Sequence, residues 1–124
     1  MSVDVTKKLM ELDPTLQLHN EGHWDEQYHL DRGYSSFNDA GVETETGEFL
    51  YALIRLLKPE HVLETGTHIG VGMAYMGQAL KDNLKGKLDT VEFIEQHNIR
   101  AFQRAEDLGI GEYVACYKAD VANW

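Results

Sequence analysis

Residues 62–72, which read VLETGTHIGVG, carry the strongest structural signal in this sequence. The apolar start predicts a short buried strand, the glycines predict a tight turn, and the residues beyond them predict a helix. Glycine lets the backbone turn sharply and leaves room for a ligand to lie against it. Together with the acidic Glu64 at the strand end, the N-terminus of that helix predicts a binding site for a small polar metabolite.

The segments around this stretch alternate between helix and strand. A helix is predicted from the N-cap Thr46 to just before Pro59, and further helices at about 70–84 and 96–108. Strands are predicted at 61–65, 87–92 and 113–118. The helix residues expected to face the core are Phe49, Leu50, Leu53, Ile54, Leu57, Met73, Met76, Leu80, Leu84, Ile99, Phe102 and Ala105.

This order of elements predicts an α/β protein. Right-handed crossovers make the three strands parallel, in the order 3-2-1, with flanking helices. The expected fold class is therefore an incomplete, Rossmann-like, doubly wound parallel sheet over residues 46–124. Residues 1–45 are expected to form an N-terminal extension.

The extension itself is expected to have two parts. Val5, Leu9 and Leu12 predict a helix capped by Ser2, and an irregular, lid-like segment follows it. Within that segment Trp24 and Tyr28 are candidate lid residues, with a simple packing role as the alternative.

Length and charge disfavour several classes of protein and partner. The 124 residues allow one domain, and 21 acidic against 11 basic side chains give a net charge of −10. Such a surface repels phosphates, so neither nucleic acid nor an anionic membrane is an expected partner. A single cysteine, Cys116, permits no internal disulfide, and no apolar run is long enough to span a membrane. A cytoplasmic protein is expected.

Three acidic residues fall at or just beyond the predicted strand ends. They are Glu64, Glu92 and Asp120, and the carboxyl ends of parallel strands meet at the edge of the sheet where ligands bind. The dinucleotide fingerprint requires glycines at the first, third and sixth positions, which here hold Gly66, His68 and Val71. A nucleotide- or NAD-binding module is therefore disfavoured.

The stretch 64–70, ETGTHIG, resembles motif I (E/D-x-G-x-x-x-G) of the class I S-adenosylmethionine-dependent methyltransferases. It is most similar to their small-molecule O-methyltransferase branch. The strand LDTVE ending at Glu92, the turn at Leu108 and Gly109, and the position of Asp120 fit the same family. The resemblance covers roughly residues 44 to 122.

The resemblance implies S-adenosylmethionine as cofactor and methyl transfer to a small-molecule acceptor, at oxygen. By that resemblance, the turn from Glu64 to Gly70 binds the methionyl part of the cofactor, packing the backbone of Gly66, Thr67 and His68 against it. Glu92 accepts hydrogen bonds from the ribose hydroxyls, and Asp120 accepts one from the adenine amino group. An ionised carboxylate accepts but does not donate, which suits it to a diol or an amine.

Two departures from the family pattern bear on the function. Gly72 stands where the family has a serine, and no residue of this chain corresponds to the aspartate of the family's fourth strand. No catalytic residue is assigned. The alternative function is that of a non-catalytic remnant that binds the cofactor or assembles with a partner chain. A metal site at His19, His23 and His29 is disfavoured, because the segment lacks helical periodicity and a nearby cysteine.

Three parallel strands would leave the outer edge of the first strand unpaired, and such edges recruit another strand. We therefore expect a second polypeptide that completes the sheet, self-association into a homo-oligomer, or a sequence that is an excerpt of a longer protein.

Overall fold

The computed structural model describes residues 4–14, 16, 18–21, 34–37, 44–68 and 70–123. The helices are α1 (Val5–Leu12), α2 (Thr44–Leu57), α3 (Val71–Asn83) and α4 (Glu95–Asp107). The strands are β1 (Leu18–Glu21), β2 (Tyr34–Phe37), β3 (His61–Thr65), β4 (Lys87–Glu92) and β5 (Val114–Lys118). Within these ranges no helix is both long and apolar enough to cross a membrane.

The main sheet consists of β3, β4 and β5, which run parallel with β4 in the middle. The register places Glu64 beside Thr90 and Thr90 beside Cys116, so these three residues form one row across the sheet. The predicted strand positions, parallel direction and strand order are confirmed. All three strands therefore end at the same edge of the sheet.

Helix α3 forms the centre of the core, and its residues from Met73 to Leu80 are all buried. Small residues allow the neighbouring elements to approach it closely. A Cβ atom added at Gly77 would lie 2.7 Å from Ile110 Cδ1, and one added at Gly47 of α2 would lie 2.4 Å from a ring carbon of Tyr75. These contacts hold α2 and the residue Ile110 close against the middle of α3.

Helix α1 is attached to the same core. Val5 and Leu9 are buried, and the Thr6 hydroxyl is hydrogen-bonded to that of Tyr75. The Lys8 ammonium donates to the Leu108 carbonyl at 2.9 Å. Asp4, rather than the predicted Ser2, caps the helix by accepting from the Lys7 N–H at 3.0 Å. Ser2 lies outside the described residues.

The predicted core-facing sides of α2 and α4 are partly wrong. Phe49 and Leu57 of α2 are 63% and 65% exposed, and Ile99 and Phe102 of α4 are 60% and 55% exposed. The predicted Ile54 and Ala105 are buried as expected, and the other buried residues are Thr44 and Gly47 in α2, and Ala101 and Arg104 in α4. Both helices are rotated about their axes relative to the prediction. Their small residues face the core because they permit close packing, which an apolar stripe alone does not reveal. Leu12 and Leu84 were also expected to be buried and are exposed.

The segment expected to be irregular contains two strands. β1 and β2 pair antiparallel, with Leu18 opposite Phe37 and Glu21 opposite Tyr34. The largely polar residues of β1 and β2 show little alternation, so the sequence gave no strand signal there. The two strands are stabilised by pairing with each other, which a local pattern does not show. Trp24, Tyr28, His23 and His29 lie outside the described residues.

Candidate functional site

The glycine-rich turn, residues 66–70, joins the carboxyl end of β3 to the N-terminus of α3. Its Gly66, His68 and Gly70 have φ values of 76°, 52° and 87°, in the left-handed region that favours glycine. The Gly66 N–H donates to the Val91 carbonyl at 2.8 Å, which ties the turn to β4. The non-glycine His68 adopts this conformation at a cost that its surroundings must offset.

Glu92 closes one side of the turn. Its Oε1 accepts from the His68 backbone N–H at 2.7 Å, and its Oε2 accepts from the Ile94 backbone N–H at 2.8 Å. Burial alone would raise the pKa of Glu92, but the N–H donors of Ile94 and His68, together with His97 and the Phe93 N–H, lower it. Each oxygen of this ionised carboxylate keeps further lone-pair capacity for a donor from a ligand.

Glu64 lies at the end of β3 and is held differently. Thr90 donates a hydrogen bond from its Oγ1 to Glu64 Oε1 at 2.6 Å, and the Thr67 hydroxyl is hydrogen-bonded to that of Thr90. Burial raises the pKa of Glu64 to about 7, the Thr90 hydrogen bond opposes this effect, and the charge of Glu92 adds to it. The site therefore holds one carboxylate that is ionised at neutral pH and a second that is near its own titration point.

His68 makes a second contact through its ring. The imidazole lies against that of His97 in α4, with the ring centroids 4.3 Å apart and the planes tilted by 48°. The Nδ1 atoms of both rings are buried and have no hydrogen-bond partner in the described part of the chain. Burial, and after it the neighbouring His97, lowers the pKa of His68 despite the opposing charge of Glu92.

The space beside Gly66 is open. A Cβ atom built on this residue would meet no atom within 4 Å, whereas one built on Gly70 would meet Met73 at 3.0 Å. A ligand can therefore approach the backbone at Gly66, while Gly70 is needed for packing. Open space at a turn held by the Glu92 carboxylate, with the Glu64 carboxyl group nearby, fits a polar ligand with donor groups and a positive charge, and it fits a phosphate poorly.

Asp120 lies two residues beyond β5, at the same edge of the sheet. The Ala119 N–H donates to the Glu92 carbonyl at 3.0 Å, which keeps the chain beside β4. Asp120 is exposed, and its Oδ1 accepts from the Ala122 N–H at 3.0 Å. Glu92 is thus hydrogen-bonded to the turn at His68, and Glu64 is linked to the turn at Thr67 through Thr90. Asp120 lies just beyond the end of the adjacent strand.

Two residues of this site, Thr90 and His97, were missed by sequence reasoning. Thr90 could have been found, because it lies two positions before Glu92 in the same strand and opposite Glu64 in the parallel register. His97 gave no signal, because its contact with His68 depends on how α4 packs. In the described ranges, no group of three or more His, Cys, Asp or Glu side chains is placed to hold a metal ion.

Comparison with solved structures identifies the fold. The O-methyltransferase TomG from Streptomyces achromogenes, involved in tomaymycin synthesis and solved with S-adenosylmethionine, matches 99% of this chain with a TM-score of 0.66 and 20% identity. An O-methyltransferase from Bacillus cereus, in complex with S-adenosylhomocysteine, matches 68% with a TM-score of 0.60 and 24% identity. A putative O-methyltransferase from Klebsiella pneumoniae matches 67% with a TM-score of 0.59 and 26% identity.

The chain spans less than half the length of these proteins: 46% of TomG and 37% of each of the other two. No protein-family model matches the sequence, and no curated protein is detectably similar to it. The resemblance to class I methyltransferases is confirmed at the level of the fold. The chain has the Rossmann-like fold of these enzymes, with an open, three-stranded part of their sheet.

Proposed function

We propose that this chain binds S-adenosylmethionine and forms the cofactor-binding part of a methyltransferase that acts on a small-molecule acceptor, at oxygen. The residues proposed to hold the cofactor are Glu64, Gly66, Thr67, His68, Gly70, Glu92 and Asp120. When bound, the cofactor supplies an activated methyl group on a positively charged sulfur. Structures with this fold that carry S-adenosylmethionine or S-adenosylhomocysteine support the assignment.

One observation carries the proposal: Glu92 faces the turn and remains ionised there. Its carboxylate reaches the His68 N–H at 2.7 Å and lies at the carboxyl edge of the sheet. A carboxylate with spare lone pairs in that position accepts two hydroxyl donors from a ribose. A dinucleotide is a poorer fit, because two carboxylates in the site repel a pyrophosphate.

Glu64 supports the same assignment through its charge. This buried carboxyl group has its pKa raised to about 7, so a nearby positive charge would favour its ionised form. The sulfonium of S-adenosylmethionine is such a charge, whereas the thioether of S-adenosylhomocysteine is neutral. The Thr90 hydroxyl donates to Glu64 and is itself hydrogen-bonded to the Thr67 hydroxyl.

The proposal is tested by replacing Glu92 with alanine and measuring the affinity for S-adenosylhomocysteine by isothermal titration calorimetry. We expect Glu92→Ala to weaken binding by roughly ten- to a hundredfold, because one or two charge-assisted hydrogen bonds are lost. Glu112→Gln is the matched control, since the exposed Glu112 lies at the opposite end of β5 and should leave the dissociation constant unchanged. An unaltered affinity in Glu92→Ala would refute the assignment.

A second candidate function is cofactor binding or assembly without catalysis, with a partner needed to complete the sheet. It is favoured by the outer edge of β3, which pairs with no other strand in the described part of the chain. Large apolar side chains are exposed on β3 and on the adjoining α2, among them Leu63, Leu56 and Phe49. Transfer of a labelled methyl group by the purified chain would exclude this alternative.

The remaining parts of the proposal concern organisation and location. We propose that residues 46–124 form the cofactor-binding unit and that residues 1–45 contain a helix followed by a lid over the site. We further propose that the protein works as a homo-oligomer or with a partner chain, in the cytoplasm, where its single free Cys116 remains reduced.

A further inference from the structure

His68 occupies a position in the turn that its own residue type does not favour. Its φ of 52° is left-handed, although it carries a side chain. Two contacts hold it there: its backbone N–H donates to Glu92, and its ring lies against His97, with the centroids 4.3 Å apart. The first contact involves Glu92, which is proposed to hold the cofactor, and the second involves His97, which is not among the residues proposed to hold it.

The contact between the two rings is not reinforced by hydrogen bonds at Nδ1. Both Nδ1 atoms are buried and without a partner among the described residues. The ring contact is therefore maintained by packing. Burial, and after it the neighbouring His97, opposes a proton on His68 in this contact.

We propose that His97 is a positioning residue for the cofactor turn, and that the His68–His97 pair makes cofactor affinity depend on pH. The ring contact holds His68 in its left-handed conformation, which keeps the turn shaped around the ligand. When His68 takes up a proton, the contact is weakened and the turn loosens. This inference rests on the proposed function, because it concerns the same site.

Burial, and after it the charges around the pair, determines the direction of the pH effect. Glu92 of β4 favours a protonated His68, whereas His97 and Arg100, both of α4, oppose it. Arg100 is itself paired with Asp13 at 3.1 Å, beyond the end of α1. Burial also opposes protonation, so the pKa of His68 lies below its ordinary value of 6.5. His68 is therefore uncharged at neutral pH, where the ring contact is intact. The contact weakens as the pH falls and His68 takes up a proton.

The test compares three variants by calorimetry with S-adenosylhomocysteine between about pH 7.5 and about pH 5.5, the range in which histidine titrates. His97→Ala removes the supporting ring and should weaken binding about tenfold near neutral pH, because the left-handed turn loses a contact that offsets its strain. His97→Phe keeps a ring without a charge, so it should restore the affinity and shift the pH profile to higher pH, because the pKa of His68 rises. His61→Ala is the control, because His61 is exposed at the start of β3.

A second measurement does not depend on the cofactor. The ring proton resonances of His68, assigned with the His68→Gln protein, are followed by NMR as a function of pH in the unliganded chain. In His97→Phe the pKa of His68 should rise towards 6.5, because one of the groups that lower it is gone.

The two measurements separate the possible failures. If the wild-type chain binds no S-adenosylhomocysteine while the His68 titration responds to His97→Phe, the proposed function fails and the pairing of the rings stands. If the titration of His68 is the same in both proteins, the pairing is refuted. Equal affinities and equal pH profiles in wild type, His97→Ala and His97→Phe would overturn the positioning role.

Discussion

At the scale of single residues, Glu64 and Glu92 show how position alone separates two identical side chains. Glu92 accepts backbone N–H donors on both oxygens, which lower its pKa despite its burial. Glu64 accepts one threonine hydroxyl and is otherwise desolvated, so its pKa is raised to about 7. The difference gives the turn one fixed negative charge and one that responds to its surroundings.

The raised pKa of Glu64 predicts a change of stability with pH. The folded chain binds a proton at Glu64 between pH 4.5 and about 7, whereas the unfolded chain releases it above 4.5. The free energy of unfolding should therefore fall by roughly 3 kcal/mol as the pH rises through this interval. Glu64→Gln should remove this contribution, measured by urea unfolding at a series of pH values.

Glu60→Gln is the matched control for that experiment, because Glu60 is exposed just before β3. Its unfolding free energy should follow the pH dependence of the wild type. A Glu64→Gln protein whose stability changed with pH as steeply as the wild type would show that Glu64 is ionised in the folded state.

At the scale of elements, the contact between α2 and α3 depends on a residue without a side chain. Gly47 of α2 lies over the ring of Tyr75, which is 1% exposed and hydrogen-bonded to Thr6 of α1. The buried face of α2 includes this glycine and Ile54, while Phe49, Leu56 and Leu57 remain at the surface. Close packing at one glycine thus fixes the rotation of the whole helix.

Gly47→Ala tests this account of the interface. Alanine is the better helix former by about 1 kcal/mol, so propensity alone predicts a gain in stability. A Cβ atom only 2.4 Å from a Tyr75 ring carbon instead requires the ring to move, and we expect a net loss of roughly 2 kcal/mol. Thermal and urea unfolding measure the change, with Glu48→Ala on the exposed side of α2 as the control. A stabilised Gly47→Ala protein would contradict the packing described here.

At the scale of the molecule, the outer side of β3 is the main unfinished surface of the described chain. Leu63 is 57% exposed there, and the strand pairs on one side only, with β4. A parallel sheet is normally covered on both faces, and unpaired edges associate with other strands. The proposed oligomer or partner chain would cover the exposed face of the sheet and pair with the free edge of β3.

Self-association is therefore expected for the isolated chain. Sedimentation equilibrium should give a mass at least twice that of the monomer, and Leu63→Lys should shift the equilibrium towards monomer by about tenfold, because a charged side chain on an edge strand opposes pairing. Leu84→Lys is the control, since Leu84 is more exposed than Leu63 but lies at the end of α3. If the wild-type chain is a monomer at every concentration, this face does not drive self-association.

The sequence determined the parallel order of the strands, the position of the glycine-rich turn and the acidic strand ends. Each of these features depends on local periodicity and on glycine or proline at fixed positions, and the bounds of β3 and β4 agree with that prediction.

The tertiary structure decided which faces of α2 and α4 are buried, how Glu64 and Glu92 differ in pKa, and that His97 lies against His68. These properties depend on residues such as Tyr75, Thr90 and His97, which are distant in sequence from the positions they affect. Burial, charge and close packing arise from neighbours in space, so no local pattern could reveal them.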